Sequence, residues 1–454
     1  MNSLFNIGYS GIRAAQTQLN VTALNTANLA TPGYTRQRVE QIATGPKGPL
    51  KFDSGSGVEV THIRRMADQF LTGQLWRANS EGNFYATTQN YLGQLETMMG
   101  SESTGVSEGL DNLFAALSGA TERPESQAMR QNVLSSAQML STRLNQLQSF
   151  ISQQHNDIRS QQQNSIGSVN VLSSSLADYN KKIVESEALG GDTSILRDQR
   201  DELVKQLSGF MDVRINETTE GSYTVTLKSG QPLVSGNTAG KLTMEESGSS
   251  MTLSFSNSSF PVEMACGGAI GGMYHYQTDT LNGMETGLQG VAKSLAGAFN
   301  EQQAAGFDLH GQPGKPLFEF DAENPHAVLK VADISWDELA FSGLKDASGN
   351  SDNLKKLVEI SSKKMDIPGM GTTTLSNASA TLVDTVAIHS RDNQAALSSA
   401  STLLNQAEND RSNYSSVSED EEAMNLIVYT KAYQSNMKVI STGDRLFSDL
   451  LALF

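Results

Sequence analysis

Cys266 and His275 are the residues that come nearest to a nucleophile and its base in this sequence. A catalytic thiol needs a base within hydrogen-bond reach and an environment, such as a helix N-terminus, that lowers its pKa. The sequence instead surrounds Cys266 with glycines and other small residues, which indicates a buried or loop thiol. Cys266 is also the single cysteine, so neither a disulfide within the chain nor a cysteine zinc cluster can form.

The other residues capable of chemistry are scattered. The HExxH pattern is missing, and no two histidines lie four residues apart among His62, His155, His275, His310, His326 and His389. The segment 236–241 (GNTAGK) resembles half of a phosphate-binding loop, but it is one residue short and Leu242 replaces the required Ser or Thr. The acidic turn 346–352 lacks the residue order of an EF-hand. We therefore expect no catalytic residue, no cofactor and no metal ion.

The composition excludes several classes of function. The 454 residues carry a formal net charge of −16, which argues against nucleic-acid binding because no basic face offsets it. No apolar run approaches the ~18 residues of a membrane-spanning helix, and residues 1–30 lack the basic cluster and apolar core of a secretory signal. These rules predict a soluble protein, whose export would need a route that reads an uncleaved end. Only 18% of the residues are charged, which lowers the desolvation cost of packing against other copies.

The elements that organise the chain lie at its two ends. Written as heptads, residues 419–454 form an apolar stripe that only Asp444 interrupts. One position takes Leu426, Tyr433, Ile440, Phe447 and Phe454, and the paired position takes Ala423, Thr430, Met437, Asp444 and Leu451. Ser418, three residues before Glu421, and the acids that follow it are typical of a helix start.

A second, thinner stripe begins near the N-terminus. One of its positions takes Phe5, Ile12, Leu19 and Thr26, and the interleaved position takes Gly8, Ala15, Thr22 and Leu29. Isolated helices of this length are marginal in water, so we expect the two terminal helices to order against each other or against neighbouring subunits. Residues 1–60 and 416–454 are thus predicted to form an inner coiled-coil domain with an extended connector.

The middle of the chain changes its period twice. Residues 61–209 and 266–415 show apolar steps of three and four, which predicts a helical rod; helix is expected to resume near Asp279 after an interruption. Residues 210–265 alternate with period two, which predicts a small all-β outer domain. Residues 306–345, rich in Gly and Pro, are predicted to be an irregular loop. The predicted fold is mainly α with a β insertion: coiled terminal helices, a long helical-bundle rod and a small β domain.

Two terminal motifs carry a resemblance to a known family. Residues 27–34 resemble the ANxxTPG[YF] signature of bacterial flagellar rod, hook and hook-associated proteins, through Ala27, Asn28, Thr31, Pro32, Gly33 and Tyr34. The segments 35–37 (TRQ) and 420–434 are similar to the hook-associated protein 1 family, the latter through Glu421, Glu422, Asn425, Leu426 and a downstream Ala-Tyr-Gln. Internal segments 267–272 (GGAIGG) and 298–308 also resemble that family. Together these motifs cover most of the chain.

The resemblance implies a structural subunit of the flagellum that forms the junction zone between hook and filament. Such a subunit assembles with copies of itself through its terminal helices and contacts the hook protein and hook-associated protein 3. It leaves the cell through the flagellar type III export apparatus, with an uncleaved N-terminal segment as its signal and a cytosolic chaperone on its C-terminal helix. The expected interface residues are Phe5, Ile12, Leu19, Leu29, Leu426, Tyr433, Met437, Ile440, Phe447, Leu451 and Phe454.

Two alternatives remain open from the sequence. Another flagellar axial subunit, such as hook-associated protein 3 or a hook or rod protein, would share the terminal helices. A secreted enzyme on a flagellar scaffold would need paired carboxylates or a Cys/His pair in residues 210–345, where Cys266 and His275 are nine residues apart but flank glycines rather than a helix N-terminus. A binding role of the β insertion would add to the structural role, but no ligand is indicated.

Overall fold

The computed structural model describes residues 2–45, 55–101, 105–245, 248 and 250–452. Helices dominate it, which confirms the predicted mainly α fold with a β insertion. In chain order the helices are α1 Asn2–Ala27, α2 Gln69–Met99, α3 Val106–Ala120, α4 Gln127–Ala188, α5 Ser194–Phe210, α6 Gly268–Tyr276, α7 Asn282–Ala304, α8 Asp352–Glu359, α9 Leu375–Ser415 and α10 Glu419–Leu451. A π-helical turn, Gln277–Leu281, joins α6 to α7, and a 3-10 turn spans Trp336–Glu338.

The strands form small antiparallel sheets. They are β1 Gln37–Thr44, β2 Gly57–Arg65, β3 Val213–Glu217, β4 Tyr223–Leu227, β5 Pro232–Ser235, β6 Thr238–Ala239, β7 Lys241–Met244, β8 Met251–Phe255, β9 Ser258–Val262, β10 Phe318–Phe320, β11 Leu329–Val331, β12 Met365–Ile367 and β13 Gly371–Thr373. The insertion holds a four-stranded sheet of order β3-β4-β5-β6 and a three-stranded sheet of order β7-β8-β9. The remaining strands pair as hairpins β1–β2, β10–β11 and β12–β13, so the segment 306–345 is more regular than predicted.

α4 is the backbone of the helical body. Its 62 residues span about 93 Å, and its apolar residues recur every three or four positions, so Ala137, Leu140, Leu144 and Ile151 are fully buried. Where the apolar pattern slips near residue 162, buried Gln162 and other polar side chains continue the packed face, and the helix does not break. Sequence hydrophobicity could not show this continuity because the buried residues there are polar.

The glycine-rich segment 267–272 starts α6 eleven residues before the predicted position at Asp279. Gly267 and Gly268 have φ angles of 74° and 57°, a conformation that favours glycine. In the helix itself, a methyl group on Gly272 would lie 2.4 Å from the carbonyl oxygen of Phe84 in α2. Glycine is therefore required for α6 to pack closely on α2. The prediction was wrong because glycine-rich sequence is typical of a loop when its packing partner is unknown.

Within the described residues, five asparagines on helices each bind both backbone groups of one strand residue. In each pair the side-chain oxygen accepts the strand N–H, and the side-chain nitrogen donates to the strand carbonyl, at 2.7–3.1 Å. We call these pairs asparagine clamps; they are Asn25 on Gln37, Asn145 on Leu329, Asn170 on Leu242, Asn180 on Tyr223 and Asn300 on Phe318. Each clamp substitutes for a neighbouring strand and fixes a sheet to a helix.

Among the described residues, one contiguous apolar core extends in sequence from Trp76 in α2 to Val386 in α9. It includes the inward-facing residues of the β insertion, such as Val225 and Leu253. The helices α1 and α10 lie outside this core and pack against each other. Their connection to the body therefore depends on the polar contacts described next.

Candidate assembly interface

Small residues of α1 bring it close to α10. A methyl group in place of the Gly8 hydrogen would lie 2.8 Å from Ile440 Cγ1, and one on Gly11 would lie 2.4 Å from Asn436 Oδ1. Farther along, the ring of Phe5 covers Gly443, with its Cζ 3.5 Å from where a methyl group would project. Glycines on both helices thus permit a contact in which backbones nearly touch, and α1 and α10 form the terminal helix pair.

The predicted interface residues divide into two groups. Ile12 is buried, and Phe5, Leu19, Tyr433 and Ile440 are half-buried in the terminal helix pair. The second group is 44% to 61% exposed and consists of Leu29, Leu426, Met437, Phe447 and Leu451. Phe454 lies outside the described residues. Within the single chain, then, the terminal helix pair accounts for only part of the predicted stripe.

The face of α10 that meets α1 shares little more than Tyr433 and Ile440 with the predicted heptad stripe. Its other half-buried or buried residues include Glu422, Asn425, Tyr429, Asn436 and Gly443. Close packing with α1 selects small and amide side chains, which hydrophobicity does not reveal. The stripe that the heptads predict is therefore largely left on the outside of α10.

The surface that α10 leaves exposed in the single chain is unusually apolar. Its exposed large apolar residues are Met424, Leu426, Ile427, Val428, Met437, Leu446, Phe447, Leu450 and Leu451. Such a concentration of exposed apolar residues on one helix marks an interaction site, because single exposed apolar residues are common but concentrations of them are not. We call these exposed residues together the outer face of α10.

The two terminal sequence motifs meet at Arg36. Its Nε donates to Glu422 Oε1 at 2.8 Å, its Nη1 donates to Glu421, and its backbone N–H donates to the Ser415 carbonyl at 2.9 Å. Burial alone would lower the pKa of Arg36, but the Glu421 hydrogen bond and the Glu422 charge outweigh it and raise the pKa. Only 2% of Glu422 is exposed, so Arg36 neutralises a buried carboxylate.

Asn25, which is 1% exposed, holds the motif residues in the turn that follows α1. Besides clamping Gln37, its Oδ1 accepts the Tyr34 hydroxyl at 2.9 Å. Burial, followed by the charge of Asp198, raises the pKa of Tyr34 to about 12, so this hydroxyl stays protonated as a donor. Gly33 has a φ of 79°, which closes the turn after Pro32, and its carbonyl accepts Arg411 Nη2 at 3.1 Å. Asn28 is half-buried, whereas Ala27, Thr31 and Pro32 are exposed.

A second ion cluster connects the β1–β2 hairpin to the body. Arg65 Nη1 lies 2.9 Å from Asp198 Oδ1 and 2.8 Å from Asp201 Oδ2, both on α5. Asp198 also accepts the Thr35 N–H at 2.9 Å, and Asp201 accepts the Tyr223 hydroxyl at 2.7 Å. Burial lowers the pKa of Arg65, but the two carboxylates raise it by more; burial raises the pKa of Asp198 against the effect of Arg65. This cluster orients the terminal helix pair relative to the body.

Several residues of this interface were not predicted. Asn25, Arg65, Asp198, Asp201 and Asn436 lie outside the quoted motifs. The signal for Asn25 was its place on the buried side of an apolar stripe, beside Val21 and Thr22. The partners of Arg65 are more than 130 residues away, so no local pattern could identify them.

The residues that could suggest catalysis are engaged elsewhere. The Cys266 thiol is buried and donates to the Gly267 carbonyl at 3.8 Å, and burial raises its pKa to about 12. His275 pairs with Asp279 at 3.0 Å. The segment 236–241 runs from the β5–β6 turn into β7, whereas a phosphate-binding loop must lead into a helix.

The described part of the chain contains neither a metal-binding cluster nor a membrane-spanning helix. No group of three or more His, Cys, Asp or Glu residues there is arranged to hold a metal ion. The helices described are also too short or too polar to cross a bilayer.

Comparisons with known proteins identify relatives. The chain is 26% identical to flagellar hook-associated protein 1 of Salmonella typhimurium over 343 residues, covering 73% of this chain and 62% of that protein's length. It is 26% identical to flagellar hook-associated protein 1 of Bacillus subtilis over 487 aligned residues, covering 97% and 96%. The solved flagellar hook junction protein FlgK from Burkholderia pseudomallei has the same fold, with a TM-score of 0.68 and 17% identity over 76% of this chain and 100% of that one.

Family models match two parts of the chain. Residues 411–453 match the C-terminal region of the flagellar basal body rod proteins FlgEFG. Residues 92–318, half of the chain, match the helical domain of flagellar hook-associated protein FlgK. This second match spans α3 to α7 together with the whole β insertion between them. The chain therefore belongs to the flagellar hook-associated protein FlgK family.

Proposed function

We propose that this chain is a structural subunit of the bacterial flagellum that forms the junction zone between hook and filament. The observation that carries the proposal is the outer face of α10, an apolar surface beside a terminal helix pair that is already formed. The names of the relatives, hook-associated protein 1 and hook junction protein, support the location.

Assembly is driven by covering this outer face with neighbouring copies. A large apolar side chain gains about 1.5–3 kcal/mol when fully buried, so a half-exposed residue such as Leu426 or Phe447 has about 1 kcal/mol left to gain. Summed over the outer face and over several neighbours, this is comparable to the ~4–15 kcal/mol that association costs. A head-to-tail contact that does not close a ring produces a helical assembly.

The domains have separate places in this proposal. Residues 1–60 and 416–454 form the inner layer, residues 61–209 and 266–415 form the helical rod around it, and residues 210–265 face outward. The subunit acts without catalysis, consistent with the structural roles named for its relatives. The asparagine clamps and the Arg65 cluster attach these parts to each other.

The resemblance to the hook-associated proteins implies the export route and the partners, and the exposed surface is consistent with both. An apolar helix face that waits for assembly needs cover in the cytoplasm, which a dedicated export chaperone on α10 supplies. The chain then passes through the type III export apparatus with its N-terminal segment as an uncleaved signal. After assembly outside the cell its neighbours are other copies, the hook protein and hook-associated protein 3.

A different position in the flagellar axis is the second candidate. It is favoured by the match of residues 411–453 to the C-terminal region of rod proteins, because that region is shared between axial subunits. The match to the FlgK helical domain over residues 92–318 favours the junction.

Replacing Leu426 or Phe447 by Asp tests the outer face. Both residues are about half exposed in the single chain, so each variant should fold and be exported, yet a strain carrying it should lose its filaments and its motility. Ser435→Asp, at an exposed polar position of the same helix, is the matched control and should swim normally. Full filaments on strains that carry Leu426→Asp and Phe447→Asp would contradict the proposal.

A further inference from the structure

Strand β3 lies at one edge of its sheet in the β insertion. Unlike β7, it is not bound by an asparagine clamp from any helix that the structure describes. The edge strand β7 is closed by Asn170, and β9 contains Pro261, whose carbonyl accepts Gln231 Nε2 at 3.2 Å. β6 is only two residues long. In the described residues, by contrast, no helix side chain bonds to the backbone of Val213–Glu217, and β4 is its single strand neighbour. An uncovered edge is a template for pairing with another strand.

A groove runs beside this edge, between β3 and the first turns of α2. Its cavity of about 600 Å³ is lined by Gln69, Phe70, Gly73, Trp76, Arg77 and residues 212–215. A hydrogen bond of 3.0 Å from Gln69 Nε2 to Glu217 Oε2 bridges α2 and β3 at one end. The five residues of β3 extend over about 17 Å, long enough to pair with a short strand.

The groove has an apolar wall and a positive rim. Phe70 is 66% exposed at the start of α2, and the buried ring of Trp76 forms the wall behind it, edge-on to Tyr223 at 6.3 Å. Arg77 and Arg214 are exposed along the rim, and neither has a carboxylate within 4.0 Å among the described residues. Asp212 is the one acid in the lining, and Glu217 at the end of the groove is already paired with Arg197, so the unpaired charge of the groove is positive in a chain of net charge −16.

We propose that β3 and the groove beside α2 bind an extended acidic peptide of a partner protein by strand addition. The backbone of the peptide pairs with β3, one large apolar side chain lies against Phe70, and carboxylates meet Arg77 and Arg214. The positive rim selects an acidic strand over a second copy of β3, because β3 itself carries both Arg214 and Glu217 and offers no net negative charge. This binding role is independent of the assembly through α10.

Fluorescence anisotropy of labelled peptides with the full chain tests the proposal. The probe is an eight-residue peptide in which Glu alternates with Val or Phe. One matched peptide carries N-methyl groups on alternate backbone nitrogens, which removes strand pairing, and another carries Lys in place of Glu. The acidic probe should bind, and both matched peptides should bind at least about tenfold more weakly, because the first loses several backbone hydrogen bonds and the second loses its charge-assisted contacts.

Protein variants locate the binding site. Arg214→Glu and Phe70→Ala should each weaken the acidic probe by about tenfold, whereas Arg123→Glu, an exposed charge reversal at the end of α3, should leave it unchanged. Equal binding of the N-methylated or the Lys peptide would overturn the proposal, and so would an acidic probe that does not bind. Disulfide cross-linking of the chain through Asn216→Cys, with Cys266→Ala, would assign the edge to a second copy and overturn the acidic partner.

Discussion

Glu422 is a buried carboxylate whose counter-charge comes from the opposite end of the chain. Arg36 lies 386 residues earlier and reaches it with a hydrogen bond of 2.8 Å. Because a buried ion is costly when it loses its partner, the pair makes the two terminal segments depend on each other. At the scale of the residue, this contact explains why both terminal motifs contain charges beside their apolar positions.

Arg36→Met should destabilise the start of α10. Removing the guanidinium leaves the Glu422 carboxylate buried and unpaired, and since Arg36 itself is partly exposed we expect a loss of about 2 kcal/mol. Hydrogen exchange of residues 419–425 measures the free energy of local opening. The double variant Arg36→Met with Glu422→Gln should recover most of the loss. A double variant no more stable than Arg36→Met would show that the charge is not the cause.

Cys266 should behave as a reporter of unfolding. Burial, with a smaller effect of Asp212, raises its pKa from the ordinary value to about 12, so the native thiol should react with a disulfide reagent at pH 8 far more slowly than a free thiol. The raised pKa also means that its contribution to stability is present below the ordinary thiol pKa and declines as the pH rises toward 12. Ser229→Cys in a Cys266→Ala background, an exposed thiol, is the control. Equal rates for the two thiols would refute the buried position.

At the scale of elements, sequence periodicity predicted the helices well. It did not predict the contacts that join the helices to the strands and to each other. The apolar steps of α4 and of α9 were visible in the sequence, and so was the period-two alternation of β4, because burial of one face imposes a repeat. The clamp of Asn180 on Tyr223 has no repeat, since it joins one helix residue to one strand residue. The α1-facing side of α10 was also missed, because Asn436 and Gly443 allow close approach without being hydrophobic.

Asn180→Leu should loosen the β insertion from α4. Asn180 is fully buried; its Oδ1 accepts the Tyr223 N–H at 2.9 Å, and its Nδ2 donates to the Tyr223 and Gly236 carbonyls at 2.8 Å. Leucine has a similar size but leaves these groups unsatisfied, which we expect to cost about 3 kcal/mol. Urea unfolding followed by hydrogen exchange in residues 213–262 measures the loss. Asn237→Ala, at an exposed turn, should change little, and equal stability of the two variants would contradict the role of the clamp.

At the scale of the whole molecule, the body is held together by apolar packing and the terminal helix pair is attached to it by polar contacts. The body, from α2 to α9 with the β insertion, shares one apolar core, whereas the terminal helix pair joins it through Arg65 and its carboxylates and through the hydrogen bonds of Thr35 to Asp198 and of Arg411 to Gly33. A polar connection lets the terminal helix pair adjust its angle to the body at lower cost than an apolar one, because no packed core must be reopened. The outer face of α10 then remains available to neighbouring copies. This arrangement suits the proposed place of the subunit between hook and filament.

Immunogold electron microscopy on intact flagellated cells tests the central claim most directly. An antibody against residues 215–260 recognises the β insertion, which is proposed to face outward. We expect label confined to a narrow band between hook and filament. Label along the hook or along the whole filament would instead place the chain elsewhere in the axis, and label only inside the cell would contradict the proposed export and the junction role together.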